Sequence, residues 1–340
     1  MEAPLTPRAL RRVSRECVEG AFDRAAGALN EDWNTHWDGR DLQRWIEKVG
    51  ARLVAERDRG VTASESGRCV QAIANPPALM VLGLDGGRVQ MRERDPETQS
   101  RWKEDKVATV TSYVPGDGKD VDPRPLVTTH IATMEKTEPF GRLVRAEAEA
   151  RAWRYAAQVI AIADCGNWID PLLEREFPKI VRIADWAHAE EHLHESGRAV
   201  YPNDQQAAKK LSETWVAALA KGQVNAIIAA MRNHCDEIGK PRKTDGEEHP
   251  RRVLAANMGY FEKNKAFMNY PYYRSMGWPI GSGNVEAGVK QFNKRVKGTE
   301  QFWQPAGIEA MLCLRSLFLS QDARWRLYWS TRTAYLKRAA

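Results

Sequence analysis

The sequence has no run approaching the ~18–20 consecutive apolar residues that a membrane helix requires, which excludes a helical membrane protein. Its first twenty residues, MEAPLTPRALRRVSRECVEG, hold no apolar secretory core and no cleavage site, so a cytoplasmic, nucleoid-associated location is expected. Cysteine is sparse and unpaired. Cys17, Cys69, Cys165, Cys235 and Cys313 form no CxxC pair, which excludes a Cys-rich zinc module and a disulfide framework. No internal repeat or low-complexity tract is visible. What is left is a 340-residue chain, 43% apolar and with 12 Trp, long enough for one large domain or two smaller ones.

Charge is uneven along the chain. The whole carries a net charge of +6, yet from Ala287 onward there are ten basic residues against three acidic, so the excess lies at the C-terminal end. A basic end on an otherwise balanced protein points to a polyanion-facing surface, although such an excess also suits a solvated face.

Residues 1–75 read as a helical region, with one helix near 8–29 and another near 39–57. Two helices around a short turn are compatible with helix-turn-helix DNA binding, but eleven charges of each sign cancel over the first sixty residues, and a simple helical hairpin fits equally. From Pro76 the period becomes that of strands. PPALMVLGLD, then RVQMRER after a GG turn, then KVATVTSYV, read as a three-strand meander, followed by the breaker-rich loop PGDGKDVDPRP and a helix near 140–158. VIAIAD and KIVRIAD are short apolar strands separated by a helix, which indicates parallel pairing.

The order β-β-β-α-β-α-β is that of an α/β, ribonuclease H-like mixed sheet. Residues 76–187 would form its first part and 188–275 a helical insertion, leaving 276–340 for one further helix and a basic C-terminal region.

Asp85, Asp164 and Asp185 each follow an apolar strand, in Gly-Leu-Asp, Ile-Ala-Asp and Ile-Ala-Asp, and an acid there points into the crevice at the carboxyl edge of a sheet. Asp in that place also serves as a helix cap or turn residue. In GWPIGSGNVEAGVKQFNKRVKG, Val285, Val289, Phe292 and Val296 recur at helical spacing, which predicts one buried stripe. Glu286, Lys290, Asn293 and Lys297 run beside it. A carboxylate one turn before a ladder of cations suits a helix that handles both metal and phosphate; Glu286 and Lys290 also make an ordinary i,i+4 ion pair.

With these residues in view, the chain resembles the DDE transposases of bacterial insertion sequences, closest to the ISKra group and more distantly to Mutator-type enzymes. The blocks are Asp85-Gly86-Gly87-Arg88; Ala163-Asp164-Cys165-Gly166-Asn167-Trp168-Ile169; Phe177-Pro178 through Asp185, His188, Glu191, His192 and Leu193; and Pro279 to Glu286, followed by Lys297-Gly298 and Trp303. The chain departs at Cys165-Gly166, where the family has Gly-Ala, and at Ala287-Gly288, where Ser-Ala is usual. Neither departure replaces an acid.

The resemblance implies a catalytic triad of Asp85, Asp164 and Glu286 holding two Mg²⁺ (or Mn²⁺) ions. It gives Asp185 and His188 a supporting role as a D-x-x-H signature, and implies double-stranded DNA partners, the transposon ends and the target, joined in a homodimer or larger synaptic complex. Hard carboxylate oxygens suit these ions better than Zn²⁺. Lys290, Lys294, Arg295 and Lys297 are expected to contact phosphates, and Trp303 is the aromatic chosen to touch DNA. Two other readings compete. A DNA-binding regulator derived from such an enzyme would bind without cutting. His188-Ala189-Glu190-Glu191-His192 also satisfies H-x-x-E-H, the inverted pattern of zinc metallopeptidases.

Overall fold

The computed structural model describes residues 5–68, 76–164, 166–298 and 301–339, with side chains through residue 332. Cys69 and Cys165, and the side chains of Lys337 and Arg338, lie outside what is described. Five strands form one sheet in the order β3-β2-β1-β4-β5: β1 (Leu79–Gln90), β2 (Trp102–Val114), β3 (Arg124–Thr133), β4 (Gln158–Ala163) and β5 (Val181–Ala184). Strands β1, β2 and β3 pair antiparallel, whereas β4 and β5 continue parallel from the other side of β1.

The antiparallel strands are not the segments that the apolar runs suggest. Gly86-Gly87 is no turn; β1 runs straight through it, pairing Gly86 with Lys106 and Gly87 with Asp105, so RVQMRER opens with the second half of β1. The glycines serve close approach instead. A Cβ on Gly87 would fall 2.5 Å from Asp105 Oδ1. The reversal comes later, where the Asp95 carboxylate accepts from the Glu97 and Thr98 amides and Gln99 adopts φ +57°. The third strand is β3, around LVTTHIAT, which follows a loop gathered by the Asp117 carboxylate.

Alternation along β1 sorts the cores. Met80, Leu82 and Leu84 face α4 (Thr137–Ala150) and α5 (Ile169–Glu176), packing on Phe140, Val144, Leu172 and Phe177. On the opposite face, Leu79 and Val81 join the core of the helical segment that follows β5, while Val89 and Met91 join a core shared by the N- and C-terminal helices. Between these two cores, the same face of β1 carries Gly83, Asp85 and Gly87.

Helix α6 (Trp186–Val200) leads the helical segment, followed by α7 (Gln205–Ala220), α8 (Val224–Ile238), α9 (Pro250–Asn264) and α10 (Tyr270–Ser275). The chain then returns through α11 (Gly283–Val296), α12 (Pro305–Leu319) and α13 (Arg324–Ala339). At the N-terminus, one expected helix is two, α1 (Pro7–Glu19) and α2 (Phe22–Trp33), because the backbone becomes extended at Gly20-Ala21. Helix α3 (Gly39–Glu65) begins with an Asp38–Asp41 capping box and crosses α12 closely, Gly50 lying against Ala310. The buried faces of α1–α3 thus share a core with Val296, Trp303 and Leu312.

Candidate active site

The pairing of β1 with β4 ends at Leu84 and Ala163, and that of β4 with β5 at Ala163 and Ala184. The next residues are Asp85, Asp164 and Asp185. Three carboxylates thereby leave three adjacent strands at one level, about 4.8 Å apart per strand. Asp85 differs from the expectation in one respect: it lies within β1, opposite Val107, because β1 outruns β4.

The fourth acid arrives on α11. A Cβ on Gly83 would lie 2.8 Å from Val285 Cβ, so the glycine lets the first turn of α11 rest directly on β1. The expected stripe of Val285, Val289, Phe292 and Val296 is buried, and Glu286, beside Val285, is close enough for its charge to act on Asp85. Burial lifts the Asp85 carboxyl to about 6; the Gly86 amide, 2.6 Å from Oδ1, opposes the shift, and the negative charges of Asp164, Glu286 and Asp185 add to it. The four acids form one electrostatic unit.

Other groups fix this cluster. Asp185 is almost wholly buried; its Oδ1 accepts from the Ser282 amide at 2.8 Å and its Oδ2 from the His188 amide at 3.2 Å. It therefore caps α6 and anchors the loop entering α11 at once. Ser282 Oγ donates to Glu286 Oε1 at 2.8 Å, and Lys290 Nζ stands 3.6 Å from Oε2. Arg182, a cation within an apolar strand, is buried and donates to the carbonyls of Ala163 and Asp164 at 3.2 and 2.9 Å, holding the end of β4.

Asp105 belongs to none of the sequence blocks. It is fully buried opposite Gly87, neither oxygen has a hydrogen-bond partner, and burial raises its carboxyl to about 6, with the charges of Glu104 and Asp85 adding to the effect. The signal was present in KEDKVATV, an acid entering a β-rich run.

The donor set consists of hard oxygens that repel one another, which suits a divalent cation such as Mg²⁺. As they stand, no three His, Cys, Asp or Glu side chains among the described residues converge closely enough to share one ion. Ser282 and Lys290 hold Glu286 in its present position.

The proposed DNA-facing residues divide by burial. Lys290 and Lys294 are exposed on α11 and Lys297 is exposed at its C-cap, lying over the Trp102 ring. Arg295 is not available to phosphate: it is 2% exposed, donates to the Cys17 carbonyl, and lies over the Phe22 and Trp303 rings. Trp303 is also buried, its indole N–H donating to the Val296 carbonyl at 2.9 Å, so it offers no face for a base. Both follow the apolar side of α11 into the core. His188, by contrast, is partly exposed and pairs with His192.

No protein-family model and no curated protein matches the chain. Among solved structures it is similar to a chain of the Drosophila P element transposase strand transfer complex, with 12% identity and a TM-score of 0.40, over 95% of this chain and 94% of that one.

Proposed function

We propose that the chain is a DDE-type DNA transposase with a ribonuclease H-like catalytic sheet, acting at the ends of an insertion sequence of the ISKra kind. The observation that carries this reading is the assembly of Asp85, Asp164 and Asp185 on one sheet edge with Glu286 delivered beside them by α11. Asp85, Asp164 and Glu286 would hold two Mg²⁺ or Mn²⁺ ions, which, when bound, activate a water or DNA 3′-hydroxyl and stabilise the leaving oxygen of the scissile phosphodiester.

The chain's own residues prepare this site. Arg182 and Gly83 fix the strand ends and the approach of α11. Asp185 locks the loop that precedes Glu286. Lys290 and Lys294 on α11 and Lys297 at its end are exposed, and there phosphates of the bound strand would replace the Glu286 carboxylate as the partner of Lys290. Residues 1–75 would assist DNA binding, and the joining of two ends implies a homodimer or larger synapse.

A regulator that binds DNA without cutting it is the second reading. It would use the same exposed cations, Lys290, Lys294 and Lys297, and none of the acids. The test is a plasmid bearing the element's own ends, incubated with wild-type protein or with Asp85→Asn, Asp164→Asn or Glu286→Gln in Mg²⁺, Mn²⁺ or EDTA. Metal-dependent breaks mapping to the ends and vanishing in all three variants support the transposase. Binding without breaks in any metal leaves the regulator.

A further inference from the structure

Outside the acidic edge, α6 carries two histidines whose arrangement the proposed strand chemistry does not use. His188 and His192 are one helical turn apart, and their Nε2 atoms face each other at 3.2 Å. The state of one ring follows from its partner. Asn257, on α9 and nearly fully buried, points its amide nitrogen at the His192 carbonyl at 3.1 Å and at Ser196 Oγ at 3.1 Å, so its Oδ1 is the atom 2.8 Å from His192 Nδ1. An amide oxygen only accepts. His192 Nδ1 therefore carries the proton, and its Nε2 lone pair is directed at His188.

Two imidazole nitrogens bound to one ion at about 2.0–2.1 Å lie about 2.9 Å apart at a right angle and about 3.3 Å apart at the tetrahedral angle. The observed separation falls between these values. The Tyr260 ring lies 4.0 Å from the His192 ring, and the Asn257 contact supplies the outer-shell acceptor that metal-bound histidines require. Burial and the neighbouring His188 lower the basicity of His192, favouring the neutral form that binds metal. Both side chains keep solvent access, with exposures of 37% and 21%.

We propose that His188 and His192 form a two-imidazole site for a late first-row divalent ion, Zn²⁺ foremost, separate from the carboxylate cluster and completed by water. Imidazole selects such ions over Mg²⁺. The site differs from the metallopeptidase pattern. The Glu191 carboxylate lies 3.8 Å from His188 Nδ1, the ring nitrogen that does not face His192. An ion here ties the first two turns of α6 together and, through Asn257, steadies their seat on α9.

The test uses full-length, chelator-stripped protein titrated with Cu²⁺ as a spectroscopic probe and with Zn²⁺ by calorimetry. One equivalent of Cu²⁺ is expected, with electron paramagnetic resonance couplings from two imidazole nitrogens, displaced by Zn²⁺ but not by Mg²⁺. His188→Gln and His192→Gln should each weaken binding at least tenfold, whereas Asn257→Asp, which keeps the acceptor, should retain it; circular dichroism reports whether each variant is folded. Undiminished binding in folded histidine variants overturns the proposal. So does the absence of stoichiometric binding to wild type, which leaves the pair as a simple N–H···N bond. Loss of the same signal in Asp85→Asn or Asp164→Asn also overturns it, by assigning the ion to the acidic edge. None of these outcomes depends on whether the protein cuts DNA.

Discussion

Gly83 on β1 and Val285 on α11 meet where no side chain larger than hydrogen fits, a Cβ on the glycine lying 2.8 Å from Val285 Cβ. This contact sets how closely the first turn of α11, which carries Glu286, approaches β1. Gly83→Ala must lift α11 or distort β1, at about 1–3 kcal/mol by the usual cost of overpacking. The melting temperature should fall by about 1–4 °C. Metal-dependent cleavage should fall at least tenfold in protein that is still folded, since displacement of one acid spoils the geometry before it unfolds the chain. Calorimetry with single-turnover cleavage checks both; full activity at normal stability would show that the contact does not position the glutamate.

Asp105 gives a pH-dependent prediction. Its carboxyl is raised to about 6 by burial, against about 3.9 in an unfolded chain. Between those values the folded state binds more protons than the unfolded one, so stability falls as pH rises from about 4 to about 6 and stays low above that. Asp105→Asn removes the buried charge while keeping the shape. The variant should melt about 1–2 °C higher than wild type at pH 7, corresponding to a gain on the order of 1 kcal/mol after the amide's own burial cost. The difference should shrink toward zero by pH 4. Thermal melts at both pH values decide it, and a variant less stable at pH 7 would reveal an ionised carboxylate with a partner that offsets its burial.

The site was more legible in the sequence than the strands that carry it. Asp164 and Asp185 end apolar runs too short for anything but buried parallel strands, and the Val285–Val296 spacing marks the buried face of a helix whichever sheet it meets. Gly86-Gly87 misleads because two glycines commonly punctuate a turn. Here they make room for Glu104 and Asp105 on the neighbouring strand, a long-range reason that local pattern does not carry. The same limit applies to Arg295. Its position in KQFNKRVKG looks like one more surface cation, and only the packing of α1 and α2 against α11 turns it inward. Asp105 carries no local signal of burial, because an acid near the start of a strand normally faces water.

The cations of α11 should separate by experiment. Lys290, Lys294 and Lys297 are exposed, so each change to Ala should reduce the slope of log affinity against log salt by roughly one, with little effect on stability. Arg295→Met should do the reverse. The slope should stay unchanged while the melting temperature falls, because Met fills the space over Phe22 and Trp303 but leaves the Cys17 carbonyl without its donor. Salt titrations of DNA binding beside thermal melts test the contrast. An Arg295 variant with a reduced slope would place that side chain on the DNA after all.

The acidic edge should trade stability for chemistry. Without a divalent ion, Asp85 stands among the charges of Asp164, Glu286 and Asp185, and its raised carboxyl records that repulsion together with its burial. Asp164→Asn removes one of those charges, so in EDTA the variant should be at least as stable as wild type, in the opposite direction to most buried-site substitutions. Adding Mg²⁺ should raise the wild-type melting temperature with saturation, because an ion that binds only the folded state stabilises it by mass action. The variant should show a much smaller rise and should lose strand cleavage by a thousandfold or more. Equal Mg²⁺ responses in the two proteins would mean that the ion does not bind at Asp164, and the catalytic assignment of the edge would fall with it.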